Sequence, residues 1–580
     1  MEGESRMLLQ RKQFQNSQVK PAENGVSQQR RSANYKPNIW NYDLLQSLGG
    51  NHGCDGNDYY RRHVENLKEK LKVIFSEARG DEVVVLELVD FLRKMGLSSM
   101  FEEEIHKALQ ISATSGRCRS NPNAQQDLYV VALRFRLLRL YGCDVSQDVF
   151  FAFLGENGEF LESKRGDIKG LIELLEASYL ATEGEEILDK AKAYAMRSLK
   201  THPYSSCNDD HPSPDNDVVG HILELSSHWR VPWFDVKWQI ETYEKYKLID
   251  TNSVHFAKFH FNVVQASLQN DLRQLSMWWK SSNLMQHLGF ARDRVVESFM
   301  CSMGLTIEPQ FSFFRKCLTK AIVFVLLIDD IYDVYGSLDE LSYFTAAVAR
   351  WDLKDAKGLP GGMKKCLQVL FDVTHEIADE IQRQIGWNPE AVLQQLKKVW
   401  AEFCEALYVE AKWFNERYTP TLEEYLKNAC VSSSGSVICV HSFLCMMLDP
   451  QEKLANFLLN HHDLVYDIST IVRLCNDLAT SRAETERGDA PSSVVCYMRE
   501  ADVSEEEAVN HMKRLINKSW KNINEKCFKS QLPFHQSFMK VLVNIGRVAH
   551  SLYQYGDGFG VQDKEMKQQI LSLLIQPYKL

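Results

Sequence analysis

The sequence has no excess of positive charge. Its 67 Lys and Arg face 77 Asp and Glu, a formal net charge of −10. That balance excludes general nucleic-acid binding, and it means that capture of an anionic ligand must rest on local positive charge and metal ions. The fourteen cysteines include no CxxC pair and no even spacing, so they read as reduced thiols filling cores in a reducing compartment. The longest unbroken apolar runs, such as Ala321–Ile328, fall well short of the roughly 20 residues that cross a bilayer. No secretory signal is visible, and no stable membrane insertion is expected. The first 29 residues hold only three Ser and include Glu2, Glu4 and Glu23, unlike the Ser-rich, acid-poor composition of transit peptides. They are expected to form a disordered tail on a cytoplasmic protein. Nothing in the composition demands an oligomer, so a monomer is expected. The glycine-rich stretch Tyr555–Gly560 lacks the GxxxxGK[ST] context of a phosphate-binding loop.

What is present centres on Asp329-Asp330-Ile331-Tyr332-Asp333. Three carboxylates follow eight uncharged apolar residues, Ala321 to Ile328. On a helix Asp329 and Asp333 share one face, with Asp330 turned about 100° away. Acids that end a buried helix are costly unless something cationic meets them. Oxygen ligands one turn apart suit a hard divalent ion, Mg²⁺ or Mn²⁺. A second stripe lies in Asn476-Asp477-Leu478-Ala479-Thr480-Ser481-Arg482-Ala483-Glu484, where Asn476, Thr480 and Glu484 fall at i, i+4 and i+8. All three offer oxygen to a metal, and they too follow a largely apolar run. The second pattern alone is more often a solvated helix face, and the first alone is as readily a helix end that shows its acids to solvent as a metal site. Together they can face each other across one cavity, hold several metal ions and require a polyanionic ligand such as diphosphate.

The combination of DDIYD with NDxxTxxxE resembles the class I terpene synthases of plants. The resemblance covers residues 30 to about 577. Arg30-Arg31 followed by eight residues and Trp40 is similar to that family's RRx8W, Arg292-Asp293-Arg294 to its RxR, and Tyr553 with Asp557 to its C-terminal Tyr and Asp. The resemblance implies an all-α, two-domain chain. Residues 30–254 would be a non-catalytic helical barrel whose arm caps the active site. Residues 255–580 would be a metal-binding helical bundle that carries catalysis. No DxDD occurs, so nothing points to protonation-initiated cyclisation.

The pattern along the chain agrees with a helical protein. Residues 63–78, 83–95 and 127–140 place apolar side chains at helix spacing. Residues 113–123 and 202–217 read as turns and loops, and Pro360-Gly361-Gly362 as another. Trp229, Trp233 and Trp238 read as core and interdomain packing. Residues 256–279 and 392–414 read as long helices. Cys430 to Ser436 places small hydroxyl residues and a glycine inside an apolar stretch, which suggests a broken helix. Residues 487–493 and 555–560 read as flaps able to close over a pocket and exclude water.

The resemblance implies the following chemistry. Asp329, Asp333, Asn476, Thr480 and Glu484 hold the metal, three Mg²⁺ or Mn²⁺ ions with substrate bound. Asp330 orients its neighbours. Arg292 and Arg473 clamp the diphosphate together with Asp329, Asp333 and Asn476, because guanidinium offers a permanently charged fork of donors. An allylic C–O bond breaks heterolytically, and the cation needs a dry, aromatic-lined pocket. Tyr553, Asp557 or the released diphosphate takes the final proton. Many cyclising relatives carry Trp seven residues after the RxR; this chain has Cys301, which favours an acyclic product. The segments RRSANYKPNIW, WFDVKWQI, FNVVQA and SLYQYGDGFG resemble members of the family that make (E,E)-α-farnesene. The expectation is therefore farnesyl diphosphate as substrate and (E,E)-α-farnesene as product. The runner-up is geranyl diphosphate to an acyclic monoterpene such as β-ocimene, followed by water capture to nerolidol or linalool. A catalytically silent prenyl-diphosphate-binding protein is the remote alternative.

Overall fold

The computed structural model describes residues 30–48, 54–77, 81–118, 127–164, 167–201, 214–446, 454–529, 533–562 and 564–579. The expected tail, residues 1–29, lies outside them. Among the described residues the regular elements are helices, with one isolated bridge between Leu154 and Phe160. The chain forms two compact units. One comprises residues 30–48, Gln265–Ile516 and Lys540–Gln576; the other comprises His52–Val264, Asn517–Met539 and Pro577–Leu580.

In the second of these, aspartates start the helices. Asp81, Asp127 and Asp167 accept hydrogen bonds from the free N–H groups of the first turns of Glu82–Lys94, Leu128–Leu140 and Ile168–Ser178. Leu128 and Phe135 of the second of these helices, Leu171, Leu174 and Leu175 of the third, and Leu188 of the following helix Glu186–Lys200 share one core. Arg136 is buried between Asp90 at 2.9 Å and Glu173 at 2.7 Å. The adjoining cavity of about 100 Å³ is lined by Arg93, Lys94, Arg136, Glu173 and Glu176 among others. Cations and acids of that wall pair with one another or with Asp90 and Ser227, so it holds no uncompensated charge for a ligand. Trp229 stacks on Trp520, Trp233 on Phe261 and Trp238 on His221, all within this unit.

Three stretches read as turns or loops are helical in part. The Glu102–Cys118 helix runs through Ala113 to Cys118, and Thr114 returns its hydroxyl to the Gln110 carbonyl. Helix Pro214–Glu224 uses its proline and Asp215 as a first turn, where a missing N–H costs nothing and acids favour the dipole. Helix Gly361–Ile385 begins inside the expected Pro-Gly-Gly loop. A Cβ on Gly362 would lie 2.6 Å from the His287 carbonyl oxygen, so this turn takes only glycine. Among the described residues no disulfide forms, and nine of the cysteines are buried.

The unit containing Gln265–Ile516 is built around Ser312–Asp330. This helix is uniformly apolar from Ala321 to Ile328 and buried along most of its length. It packs against Val295–Leu305 and Gly435–Met446, while Pro389–Glu416 and Leu454–Arg487 supply further long helices. The expected helix break is present: Leu422–Ser432 ends, Ser434 takes φ +65°, and Gly435–Met446 follows. A Cβ on Gly435 would lie 2.2 Å from Ser469 Oγ, so the break sits hard against Leu454–Arg487. The two short helices in tandem, Leu422–Met446, are apolar and long enough to cross a membrane, but 72% of the most apolar window is buried inside the protein.

The foot of the central helix is fixed by a buried ion pair. Arg315 Nε donates to Asp271 Oδ2 at 2.8 Å, and Nη1 donates to the Glu308 carbonyl at 2.8 Å. Both side chains are essentially inaccessible. Arg315→Met strands a buried carboxylate and lowers unfolding stability by about 3–5 kcal/mol, readable as a lower urea midpoint by circular dichroism. Adding Asp271→Leu removes the stranded charge and recovers much of the loss.

Candidate active site

The central helix delivers Asp329 and Asp330 at its last two positions. The backbone then widens into a π-turn, Ile331–Tyr335, closed by Gly336 N–H on the Ile331 carbonyl at 2.8 Å. Such turns recur at functional sites; here the helix ends with the turn, at the extended Gly336. Gly336 packs closely there: a Cβ would lie 2.5 Å from Leu341 Cδ2, so any larger residue must displace that side chain. The three acids end up in different surroundings. Asp330 is fully buried, Asp329 is about one-third exposed (31%) and Asp333 is exposed.

Arg292 organises the first two. Its Nη2 donates to Asp329 Oδ2 at 2.6 Å, and its backbone N–H donates to Asp330 Oδ2 at 2.7 Å. Its Nε lies 2.9 Å from Asp330 Oδ1 as an ion pair whose alignment falls short of a hydrogen bond. The guanidinium also covers the Tyr35 ring at 4.9 Å. Burial opposes the charge of Arg292, and Asp330, Tyr35, Asp329 and Asp557 outweigh it.

The second stripe lies on Leu454–Arg487. Arg473 Nη1 donates to Asn476 Oδ1 at 3.3 Å and lies 3.6 Å from Asp477; Nη2 donates to Ser432 Oγ at 3.2 Å. Its Nε is buried and has no hydrogen-bond partner. Asp477 faces inward, accepting from Tyr425 OH and from Ser493 N–H, each at 2.9 Å. Thr480 Oγ1 lies 3.0 Å from the Asn476 carbonyl oxygen one turn earlier.

Electrostatics ties the two stripes together. The Asp333 carboxyl is pushed well above its ordinary range by desolvation and by repulsion from Asp329, Glu410, Glu484 and Asp489. Solvent still reaches Asp333, so a side chain so crowded by protein lines a recess rather than an interior. Glu484, half-buried, is pushed up to about 7 by desolvation and by Asp477. Tyr553 is held as the phenol by desolvation and by Asp557, with Cys301, Arg292 and Arg473 also within electrostatic reach. Burial pushes the Cys301 thiol up to about 12. Asp557 sits in the Tyr555–Gly560 loop and accepts from the Phe559 N–H at 3.0 Å. The residues singled out from sequence thus meet at one recess.

The Arg292-Asp293-Arg294 motif divides its labour. Only Arg292 addresses the aspartates. Asp293 accepts from Tyr42 OH, Trp279 Nε1 and Asn38 Nδ2. Arg294, 2% exposed, donates to the carbonyls of Phe559 and Lys36 at 2.8 and 3.1 Å. The arm also reaches across the site. Arg30 pairs with both Glu340 oxygens at 2.7 and 2.9 Å and donates to the Tyr335 carbonyl at 3.0 Å. Arg31 joins the Asp333 carbonyl at 3.0 Å to Asp489 Oδ1 at 2.5 Å.

Sequence reasoning did not single out Glu410, Tyr35, Glu297 or Asp489. Glu410 on Pro389–Glu416 accepts from Ser432 Oγ and Asn428 Nδ2 on the same oxygen, Oε1, and burial raises its carboxyl. Nothing about a single glutamate on an amphipathic helix signals that position. Tyr35 and Glu297 lie inside or beside recognised motifs and were visible as residue types only.

Among the described residues no three His, Cys, Asp or Glu side chains form a closed metal cluster. The donor chemistry is instead an open set of oxygens on two helices, with acids that repel one another and lack enough cations nearby. Such a set fits Mg²⁺ or Mn²⁺, which keep waters and share their coordination with substrate phosphates.

Residues 39–223 match the family described as "Terpene synthase, N-terminal domain", and residues 280–522 match "Terpene synthase family, metal binding domain". The chain belongs to the terpene synthase family, enzymes that act as lyases on prenyl diphosphates. It is 51% identical to the alpha-farnesene synthase of Ricinus communis, over 96% of this chain and 97% of that one. It is 50% identical to the (E,E)-alpha-farnesene synthase of Malus domestica, over 98% of each. The solved structure of isoprene synthase from grey poplar (Populus x canescens), in complex with three Mg²⁺ ions and dimethylallyl-S-thiolodiphosphate, matches with a TM-score of 0.84 at 36% identity, covering 93% of this chain and 99% of that one.

The crowding of acids has a measurable cost. In EDTA, Asp333→Asn relieves repulsion and raises the melting temperature by about 1–2 °C. Millimolar Mg²⁺ stabilises the unaltered protein more than it stabilises this variant, readable by differential scanning fluorimetry.

Proposed function

We propose that the chain is an (E,E)-α-farnesene synthase: it ionises farnesyl diphosphate and releases an acyclic C15 olefin and diphosphate. The observation that carries this reading is the meeting of two oxygen-bearing stripes and two arginines at one acid-rich recess. Near full-length likeness to two α-farnesene synthases supports the choice of substrate and product.

In this reading Asp329, Asp333, Asn476, Thr480 and Glu484 hold Mg²⁺ or Mn²⁺, three ions as in the poplar enzyme. When bound, the ions supply positive charge that stabilises the departing diphosphate. Arg292 and Arg473 add charge-assisted hydrogen bonds to its oxygens, and the open Nε of Arg473 is a donor still to be spent. Asp330 keeps Arg292 in register through its backbone N–H.

The cation that remains must not meet a nucleophile. Cys301 stays a neutral thiol, so it does not trap the cation as a thiolate. Its small side chain also presents no ring face to steer cyclisation. Tyr553 stays a phenol and lines the pocket with an aromatic face. The C4 proton leaves to Asp557 or to the released diphosphate. We take the protein to act in a reducing compartment, the cytoplasm, in keeping with cysteines that form no disulfide among the described residues, and to act as a monomer.

Headspace analysis of the purified protein with Mg²⁺ tests the reading, with farnesyl and geranyl diphosphate supplied separately and then in competition. The expected result is a dominant α-farnesene peak and preference for the C15 substrate. Preference for geranyl diphosphate, or cyclic products, contradicts it. Asp329→Ala and Glu484→Ala should each cut turnover by about 100-fold or more. Retained product formation in both variants overturns the metal assignment.

A further inference from the structure

A second polar cluster joins the arm and the C-terminal loop to the helix that follows the arginine motif. Its centre is Glu297, 1% exposed, on the Val295–Leu305 helix. Glu297 Oε1 accepts from Trp40 Nε1 at 2.8 Å and from Gln562 Nε2 at 2.6 Å. Its other oxygen is buried without a hydrogen-bond partner, and burial raises the carboxyl above its usual range. Gln562 is itself doubly used, because its Oε1 accepts from the Ile39 N–H at 3.2 Å.

Three chain segments that are far apart in sequence therefore converge on one carboxyl. The arm enters through Trp40, 1% exposed, although Arg30, Arg31, Lys36 and Pro37 before it are exposed. The C-terminal loop enters through Gln562, although Tyr555 and Val561 are exposed. Arg294 ties the same two segments by their Lys36 and Phe559 carbonyls. Beyond this fastening, Arg31 lies across the recess on the Asp333 carbonyl, and Asp557 feels Arg292. Releasing the fastening releases both flaps.

We propose that Glu297 and Gln562 are positioning residues that set the ratio of olefin to alcohol, by keeping residues 36–42 and 555–562 closed while the allylic cation exists. This rests on the reading that such a cation forms. With the flaps closed, a C4 proton leaves and a C=C bond forms. With them open, a water lone pair forms a C–O bond at C3, and the water proton passes to diphosphate or solvent. Farnesyl diphosphate plus water then gives a tertiary alcohol and diphosphate, with no change of oxidation state. Each hydrogen bond to Glu297 contributes modestly, so removing one raises the open population about tenfold without unfolding the chain.

Trp40→Phe and Gln562→Ala each remove one donor to Glu297 and touch no residue of the metal or diphosphate site. With farnesyl diphosphate and Mg²⁺ in ¹⁸O-labelled water, both variants should raise the alcohol fraction about five- to tenfold, with the label in the alcohol. Total diphosphate release should stay within about threefold. Hydrogen exchange should show residues 36–42 and 555–562 losing protection together in either variant, whatever the enzyme's product. A fall in turnover at constant alcohol fraction, or loss of protection in one segment alone, overturns the proposal. If the unaltered protein makes another olefin, the assigned function fails while the latch is still read from the ratio and the exchange. If the unaltered protein already makes mostly alcohol, the latch is overturned.

Discussion

Acids outnumber cations at one desolvated recess, and most of the site follows from that imbalance. Arg292 is committed to Asp329 and Asp330, and Arg473 to Asn476, Asp477 and Ser432. Asp333 and Glu484 are left to repel and to be repelled. On the proposed assignment, divalent ions would relieve the repulsion but bring more charge than the acids cancel. Diphosphate would relieve that excess but would itself be repelled while the ions are missing. Each ligand would then depend on the other, and the full arrangement would assemble only with the substrate it ionises.

The rest of the unit holds this costly arrangement in place. A largely buried helix carries the aspartates to their position, a buried ion pair at Arg315 and Asp271 anchors its foot, and a π-turn spreads its last acids. The arginine motif before Val295–Leu305 serves both sides of the site. Arg292 faces the aspartates, while Asp293, Arg294 and Glu297 fasten the arm and the C-terminal loop. Charge handling and the fastening of both flaps are therefore built on adjacent residues of one segment.

The parts legible in the sequence were those written within single helices. Asn476 with Thr480 and Glu484 could be read because one helical period sets their spacing; Asp329 with Asp333 was legible as a pair of acids, but a π-turn rather than the expected continuous α-helix carries Asp333. The all-helical fold and the break at Ser433–Ser434 were legible from periodicity and small polar residues. What stayed hidden depends on tertiary contact. Glu410 reaches the recess from a helix with no motif, and nothing local distinguishes it from other surface glutamates. The split of Arg292-Asp293-Arg294 needs the positions of Phe559 and Lys36, more than 250 residues apart from one side or the other. Helix starts at Pro214 and Gly361 were hidden for a different reason: Pro and Gly mark first turns as well as loops.

The central claim is that the two stripes form one divalent-ion site completed by diphosphate. Electron paramagnetic resonance counting of bound Mn²⁺ tests it most directly, with and without inorganic diphosphate, in the unaltered protein and in Asp333→Asn combined with Glu484→Gln. The account predicts about three tightly held ions with diphosphate, the number in the poplar relative, far fewer without it, and loss of tight binding in the double variant. Undiminished Mn²⁺ binding in the double variant, or occupancy that ignores diphosphate, would contradict it.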